Sequence, residues 1–508
     1  MSGPREDRET VTDDELLRML DDDTRASAAE RVLALAVGYL QQAARGDGRV
    51  STAHTPEELA ARFDEPIPRS PASLEAVTER LQRDVLTEVN RLAHPKAMGH
   101  QVSPPLPLAI WMEPLIAALN QSSAVFEMSP TGTPIEHRVI RWMNDLAGFG
   151  ASAGGVMTYG GTEATFTALL AARAHAIPDA WERGVGDDAP VVLSGEHAHY
   201  AVTRAVAQLG LGMRRAVAIP SRDFRMDVDA LARTLEQLEH EGTRVMAVVA
   251  TAGSTATGSF DDVEAIASLT EPRGIWLHVD GAHGGSALLS AAHRHRLRGV
   301  ERAHSLAWDA HKMMLMPLPA GVLLVREERA LQRAFSQSAP YLFHGAEGGA
   351  RVWDQGTRSF ACSRRVDAMK LWAALQRYGA EGMAALYDRL CRTTMALWHA
   401  LNDAPGFEAM HVPESNILCF RWLGTRAWSD EAVDELNARL RERYNRSGAG
   451  WITTTMLGGR RVLRVTIMNP RTTDAHVREL VRELADEGAH VESEIRDASP
   501  ASSARGAI

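Results

Sequence analysis

The sequence predicts an α/β domain on a largely parallel sheet, preceded by a helical segment and followed by a smaller α+β domain. Three observations carry that expectation. Past residue 154, short apolar runs alternate with stretches of helical spacing. Those runs, at 191–193, 216–219, 245–251, 275–279 and 322–325, do not alternate polar with apolar, as expected of strands covered on both faces. A chain of 508 residues can bury a large core and fill more than one domain.

Taken in order, residues up to about Thr12 are polar and acidic and read as disordered. Residues 13–20 and 26–44 have helical spacing; the second stretch puts Val32, Leu33, Leu35, Ala36 and Leu40 on one side. Residues 46–50 break it. Thr55 then serves as an N-cap with Pro56 at the first helical position. Pro66, Pro68 and Pro71 mark a linker before an amphipathic helix over 74–93. This part lacks strands and is too thin for its own core, so it should pack on the large domain or on another subunit. Helices are expected over 106–120 and 134–146, then over 163–175, 228–241 and 262–270 between the strands. From Asp367 one helix should reach Tyr378 and another Leu401. Strand-like runs at 417–422 and 462–467, with two or three helices, make the last domain. The division is then 1–105 (helical segment), 106–378 (large domain), 379–492 (small domain) and 493–508 (disordered tail).

The net charge of −10 and the absence of a basic, aromatic-interleaved patch argue against nucleic acid or anionic membrane as partner. Cys362, Cys391 and Cys419 lie far apart without metal-ligand spacing, which suits a reducing compartment. There is no apolar signal core at the N-terminus and no membrane-length apolar run, so a cytoplasmic protein is expected.

The stretch SLAWDAHKMM holds Lys312 between two apolar runs. Lysine is rarely buried there unless paired or chemically used. A desolvated lysine loses proton affinity, and its neutral amine attacks carbonyls. Pyridoxal 5′-phosphate (PLP) is the cofactor that uses such a lysine, together with a carboxylate for its ring nitrogen and a phosphate cradle. The chain offers both. In MTYGGTE, the glycine pair allows close backbone approach, and Thr162 is placed to cap a helix starting at Glu163. A plain glycine turn is the alternative. In LHVDGAHGG, Asp280 ends an apolar strand, where ligands bind in open α/β sheets; small Ala282 could lie under a flat ring. A strand-end aspartate capping a helix is the other reading. His199, in EHAHY, could stack on the opposite ring face; with His197 it has no third metal ligand of suitable spacing, so no metal is expected. Tyr341, beside glycines 345, 348 and 349, suggests a mobile lid carrying a proton donor, or else a packing residue. Arg464 lies inside an apolar strand and needs an anion, either a substrate carboxylate or a structural partner.

Together, in this order, the parts resemble the group II PLP-dependent decarboxylases, among them the glutamate, aromatic amino acid, cysteine sulfinate and 2,4-diaminobutyrate enzymes. The resemblance covers roughly residues 94–484 and is most specific at HVDGAHGG, DAHKMM, APYLF, SRRVDAMKLW and LRVTIMNP. It implies the PLP-dependent fold type I and a homodimer. It implies that Lys312 carries PLP, that Asp280 faces the pyridine nitrogen, and that Ala282 and His199 sandwich the ring. It puts Gly161 and Thr162 at the phosphate turn, with Thr251 and His311 also touching the cofactor. Tyr341 becomes the donor of the Cα proton and Arg464 the binder of the substrate carboxylate. The chain departs from the pattern at Gly281, His283, Ser363 and Asp309-Ala310.

The function expected is release of CO₂ from an L-amino acid. An aminotransferase, an oxidative deaminase and a catalytically silent PLP-binding scaffold are the rivals. Residues 96–107 and 119–127 should meet the substrate side chain, with His100 and Gln101 as its polar readers.

Overall fold

The computed structural model describes residues 11–335 and 353–498. Its centre is a seven-stranded sheet made by β1 (Gly154–Thr158), β2 (Val191–Gly195), β3 (Ala216–Ile219), β6 (Val245–Thr251), β7 (Trp276–Asp280), β8 (Ser305–Asp309) and β9 (Gly321–Val325). A small hairpin, β4 (Ser221–Arg222) and β5 (Arg225–Met226), stands apart from it. The strand order is β1-β9-β8-β7-β6-β2-β3. The run from β3 to β8 is parallel, while β9 is antiparallel to both β8 and β1. The absence of polar alternation in the sequence has a direct cause. Val248 and Ala250 of β6 enter one hydrophobic core, and Ala247 and Val249 enter another on the opposite face. Successive side chains of a strand point to opposite faces, and here both faces are dry.

The small domain is an antiparallel sheet in the order β10 (Phe407–Ala409), β11 (Ile417–Trp422), β13 (Arg460–Thr466) and β12 (Thr453–Leu457). Helices Asp430–Ser447 and Asp474–Ala498 pack beside it. The link between the domains is one long helix, Ala368–Asp403, with non-helical backbone at Gly379 (φ 66°, ψ 169°). That left-handed conformation suits glycine, and it puts a kink where the sequence suggests two helices.

The N-terminal helices are Asp13–Asp23, Ala26–Arg45 and Pro56–Ala60. Thr12 and Thr55 each close a reciprocal cap with a glutamate three residues on. The first helix buries no residue, and Leu16, Leu17 and Leu20 stay exposed. Two expectations need correction. The helix expected over 74–93 ends early: Leu74–Arg80 passes into a π turn at Leu81–Val85. Beyond it the chain bonds elsewhere, Arg91 N–H donating to Val50 C=O (2.9 Å), and that tertiary bond replaces further helix. Residues 493–498, expected in a disordered tail, instead continue the last helix to Ala498, with Val491 and Glu492 buried. Ser305–Asp309, taken in the sequence only as the start of the lysine motif, is a fully buried strand.

Candidate active site

Three neighbouring strands end side by side at the carboxyl edge of the large sheet, each on a polar residue. They are Thr251 on β6, Asp280 on β7 and Asp309 on β8. Thr251 is in register with Asp280. Such an edge is where an open α/β sheet receives ligands. A cavity of about 690 Å³ opens over it and gathers Gly161, Thr162, His199, Thr251, Asp280, Ala282, His311 and Lys312.

One wall is the start of helix Gly161–Ala176, which follows β1 directly. The helix begins two residues before the expected point, so Thr162 lies in its first turn and is not its cap. Gly160 stands at the cap position (φ 142°), with no side-chain hydrogen bond there. Glu163 reaches back instead, accepting from Tyr159 N–H (2.8 Å). The N–H groups of Thr162 and Glu163 have no intrahelical acceptor, and both residues line the cavity. That is a cradle for an anion. Gly161 is required by space: a Cβ there would stand 2.7 Å from the Cβ of Ala282.

Lys312 is not the bare desolvated lysine expected from the sequence. Its Nζ is 3.2 Å from Asp309 Oδ2, and that carboxylate is buried. Ala320 N–H donates to His311 Nδ1 (3.1 Å), so the ring proton sits on Nε2 and faces the same Asp309 oxygen at 3.4 Å. Burial raises the proton affinity of Asp309, but Lys312, His311 and the Gly161 N–H outweigh it and hold the carboxyl below its usual range. Asp309 escaped the sequence reading as a site residue. The rule that singled out Asp280, a carboxylate ending an apolar strand, applies to it equally once SLAWD is read as a strand.

Asp280 Oδ1 accepts from Ala282 N–H (3.2 Å). His199 Nδ1 accepts from Ala201 N–H (3.3 Å), and its ring leans on Tyr200 with centroids 4.1 Å apart. Burial pushes the His199 ring below its usual range; Asp280 opposes the shift and Lys312 reinforces it. The Thr251 hydroxyl and His283 Nδ1 are buried without a hydrogen-bond partner among the described residues. A buried polar atom left unpaired costs about 1–3 kcal/mol, so these atoms fit a polar ligand. The donor set suits PLP: an anion cradle, a carboxylate for the ring nitrogen, a lysine and a free hydroxyl.

A second chamber of about 340 Å³ adjoins the first, and His199 and Thr255 line both. It contains Arg464 of β13, His100, His197 and Thr453 to Thr455. Arg464 is buried; Nε donates to Ala256 C=O (3.2 Å) and Nη2 has no partner. No carboxylate pairs with it among the described residues. The structural salt bridge, one of the two readings left open by the sequence, has no partner among the described residues. His100 lies edge-on to Trp451, with ring centroids 5.4 Å apart. Burial and then Arg464 push its proton affinity down. Gln101, expected beside it, lines neither chamber, and its Nε2 is buried without a partner. Residues 119–127 line neither chamber as well. Tyr341 lies outside the described residues.

The chain is similar to known proteins over most of its length. The family described as pyridoxal-dependent decarboxylase conserved domain matches residues 56–423. L-2,4-diaminobutyrate decarboxylase of Rhizobium meliloti (strain 1021) is 33% identical over 430 residues, 84% of this chain and 85% of its own length. Cysteine sulfinic acid decarboxylase of Mus musculus is 32% identical over 441 residues, 84% of this chain and 89% of its own. The crystal structure of mouse CSAD matches with a TM-score of 0.84 at 29% identity, over 91% of this chain and 99% of that one.

Proposed function

The chain belongs to the pyridoxal-dependent decarboxylase family, and from that premise we propose how its residues divide the work and which amino acid they select. The protein is a PLP-dependent amino acid decarboxylase. The observation that carries the division of labour is the convergence of Lys312, Asp280 and a helix N-terminus in one cavity.

The first turn of helix Gly161–Ala176, with Thr162, would hold the phosphate. Ala282 and His199 would flank the ring, Asp280 would keep a proton on its nitrogen, and the Thr251 hydroxyl would give it one more polar contact. Lys312 would carry the covalent link, and Asp309 would receive its ammonium when the link is open. When bound, PLP supplies an electron-poor ring that accepts the electron pair left on Cα as CO₂ departs. Arg464, with a buried nitrogen to spare, takes the substrate carboxylate through parallel hydrogen bonds. Tyr341 returns a proton to Cα, an assignment that rests on the resemblance of its APYLF motif.

The substrate proposed is a short amino acid with an acidic side chain. Beside Arg464 the second chamber offers His100, His197 and four threonines, and no carboxylate among the described residues lines it. A cationic side chain there would find no counter-charge among them. The test is CO₂ release across a panel containing aspartate, cysteine sulfinate, glutamate, 2,4-diaminobutyrate and tryptophan. The short acids should give the highest kcat/KM. A clear preference for 2,4-diaminobutyrate would overturn the side-chain reading and leave the decarboxylase intact.

A further inference from the structure

We propose that His283 is a further catalytic residue, whose Nδ1 takes the proton of the entering amino group and passes it to Lys312 as Lys312 leaves. The proposal rests on the assignment of Lys312 above. His283 lines the cavity, and its ring is almost entirely buried.

Hydrogen-bond arithmetic fixes its tautomer. Asn416 Nδ2 donates to the Ile467 carbonyl (2.9 Å), so its Oδ1 is the atom that faces His283 Nε2 at 2.7 Å. A carboxamide oxygen only accepts, so Nε2 carries the ring proton. Nδ1 is then a bare acceptor, buried and without a partner among the described residues. Burial first, and then the charge of Lys312, push the ring down to about 3, so it rests neutral with that lone pair open. Asn416 opposes the shift, Arg464 adds to it and Asp309 opposes it. A carboxylate seated on Arg464, and a Lys312 no longer present as ammonium, would remove both charges that depress the ring.

An amino acid enters as an ammonium ion and cannot attack until one proton is gone. Nδ1 takes that proton. The bond from carbon to the entering nitrogen forms, that nitrogen gives a second proton directly to Nζ, the bond to Lys312 Nζ breaks, and the departing Nζ, which held one hydrogen in the link, receives its third from Nδ1. Lys312 ends as an ammonium ion within reach of Asp309, 3.2 Å away, and His283 is neutral again. Charge and protons balance without another reactant.

The test compares two amines on the PLP-loaded protein, followed by the visible absorbance of the cofactor. Ethylamine enters as ammonium; methoxyamine is already neutral near pH 7. His283→Phe should slow exchange with ethylamine about 100-fold and leave methoxyamine within about threefold, since general acid–base catalysis is typically worth that much. His283→Gln keeps a polar end but takes no proton, and should behave as His283→Phe does. It also serves if the phenylalanine variant does not fold. Equal slowing of both amines, or of neither, in whichever variant folds, would overturn the proposal. Borohydride labelling separates the two assignments: a label away from Lys312 fails both, whereas a label on Lys312 with equal slowing fails His283 alone.

Discussion

Two buried arginines, Arg364 and Arg464, lie under different sheets and are treated in opposite ways. Arg364 packs against the large sheet with every direction answered. It meets Glu136 through both terminal nitrogens (2.6 and 3.2 Å), and donates to the Met157 carbonyl and to Ser123. Glu136 is itself buried and accepts from Met157 N–H, the residue that leads β1 toward the anion cradle. Arg464 is as deeply placed in the small sheet, yet among the described residues its side chain bonds only to the Ala256 carbonyl, which Cys419 Sγ also approaches at 3.2 Å. A buried cation with its own carboxylate is architecture. One without a carboxylate among the described residues is what the proposed substrate role of Arg464 requires, because an uncompensated buried cation costs stability.

The contrast can be broken most forcefully at Glu136. Glu136→Ala strands Arg364 as an unpaired buried charge and should cost about 3–5 kcal/mol of stability, read from the urea midpoint. A loss below about 1 kcal/mol would put Arg364 in the same class as Arg464.

A buried group that stays neutral sharpens the contrast from another side. His278, on β7, is fully buried with Nδ1 against Ser305 Oγ (2.9 Å), and burial pushes it down to about 4. Its folded value lies below the unfolded one, so the unfolded chain binds the extra proton. Stability is therefore whole above about pH 6.5 and drains away toward pH 4, by about 3 kcal/mol from this residue. Unfolding measured at both pH values should show that fall, and His278→Asn should shrink it.

The smallest effect belongs to Arg464. Arg464→Lys should raise the substrate dissociation constant about 10- to 100-fold by removing one of two charged hydrogen bonds, with PLP affinity and melting temperature nearly unchanged. Lost stability with unchanged substrate affinity would mean that Arg464 is architecture too.

How far the sequence reaches differs between fold and site. The doubly covered strands are legible because an apolar run with no polar alternation leaves neither strand face fit for water. The limits of β6 and β3 match the runs at 245–251 and 216–219. Lys312 and Asp280 are legible because a charged residue closing an apolar run is locally anomalous. Other features depend on distant partners. Thr162 looks like a cap by residue type, but the helix begins at Gly161, whose N–H is taken by Asp309 from another strand. His283 stands out in the sequence only as a departure from pattern, since its free nitrogen is defined by Asn416, far along the chain. Gln101 is polar and adjacent to His100, but only His100 lines a chamber.

The wall that His199 and Thr255 lend to both chambers has a consequence for inhibition. On the proposed roles of Arg464 and Lys312, an acid with no amino group, such as a small dicarboxylate, would dock on Arg464 while the cofactor stayed fastened to its lysine. Compounds that block the enzyme then fall into two sorts, those that change its colour and those that leave it yellow. The second sort needs only the outer room, so its potency should follow the chemistry of Arg464 and His100 and ignore that of Lys312.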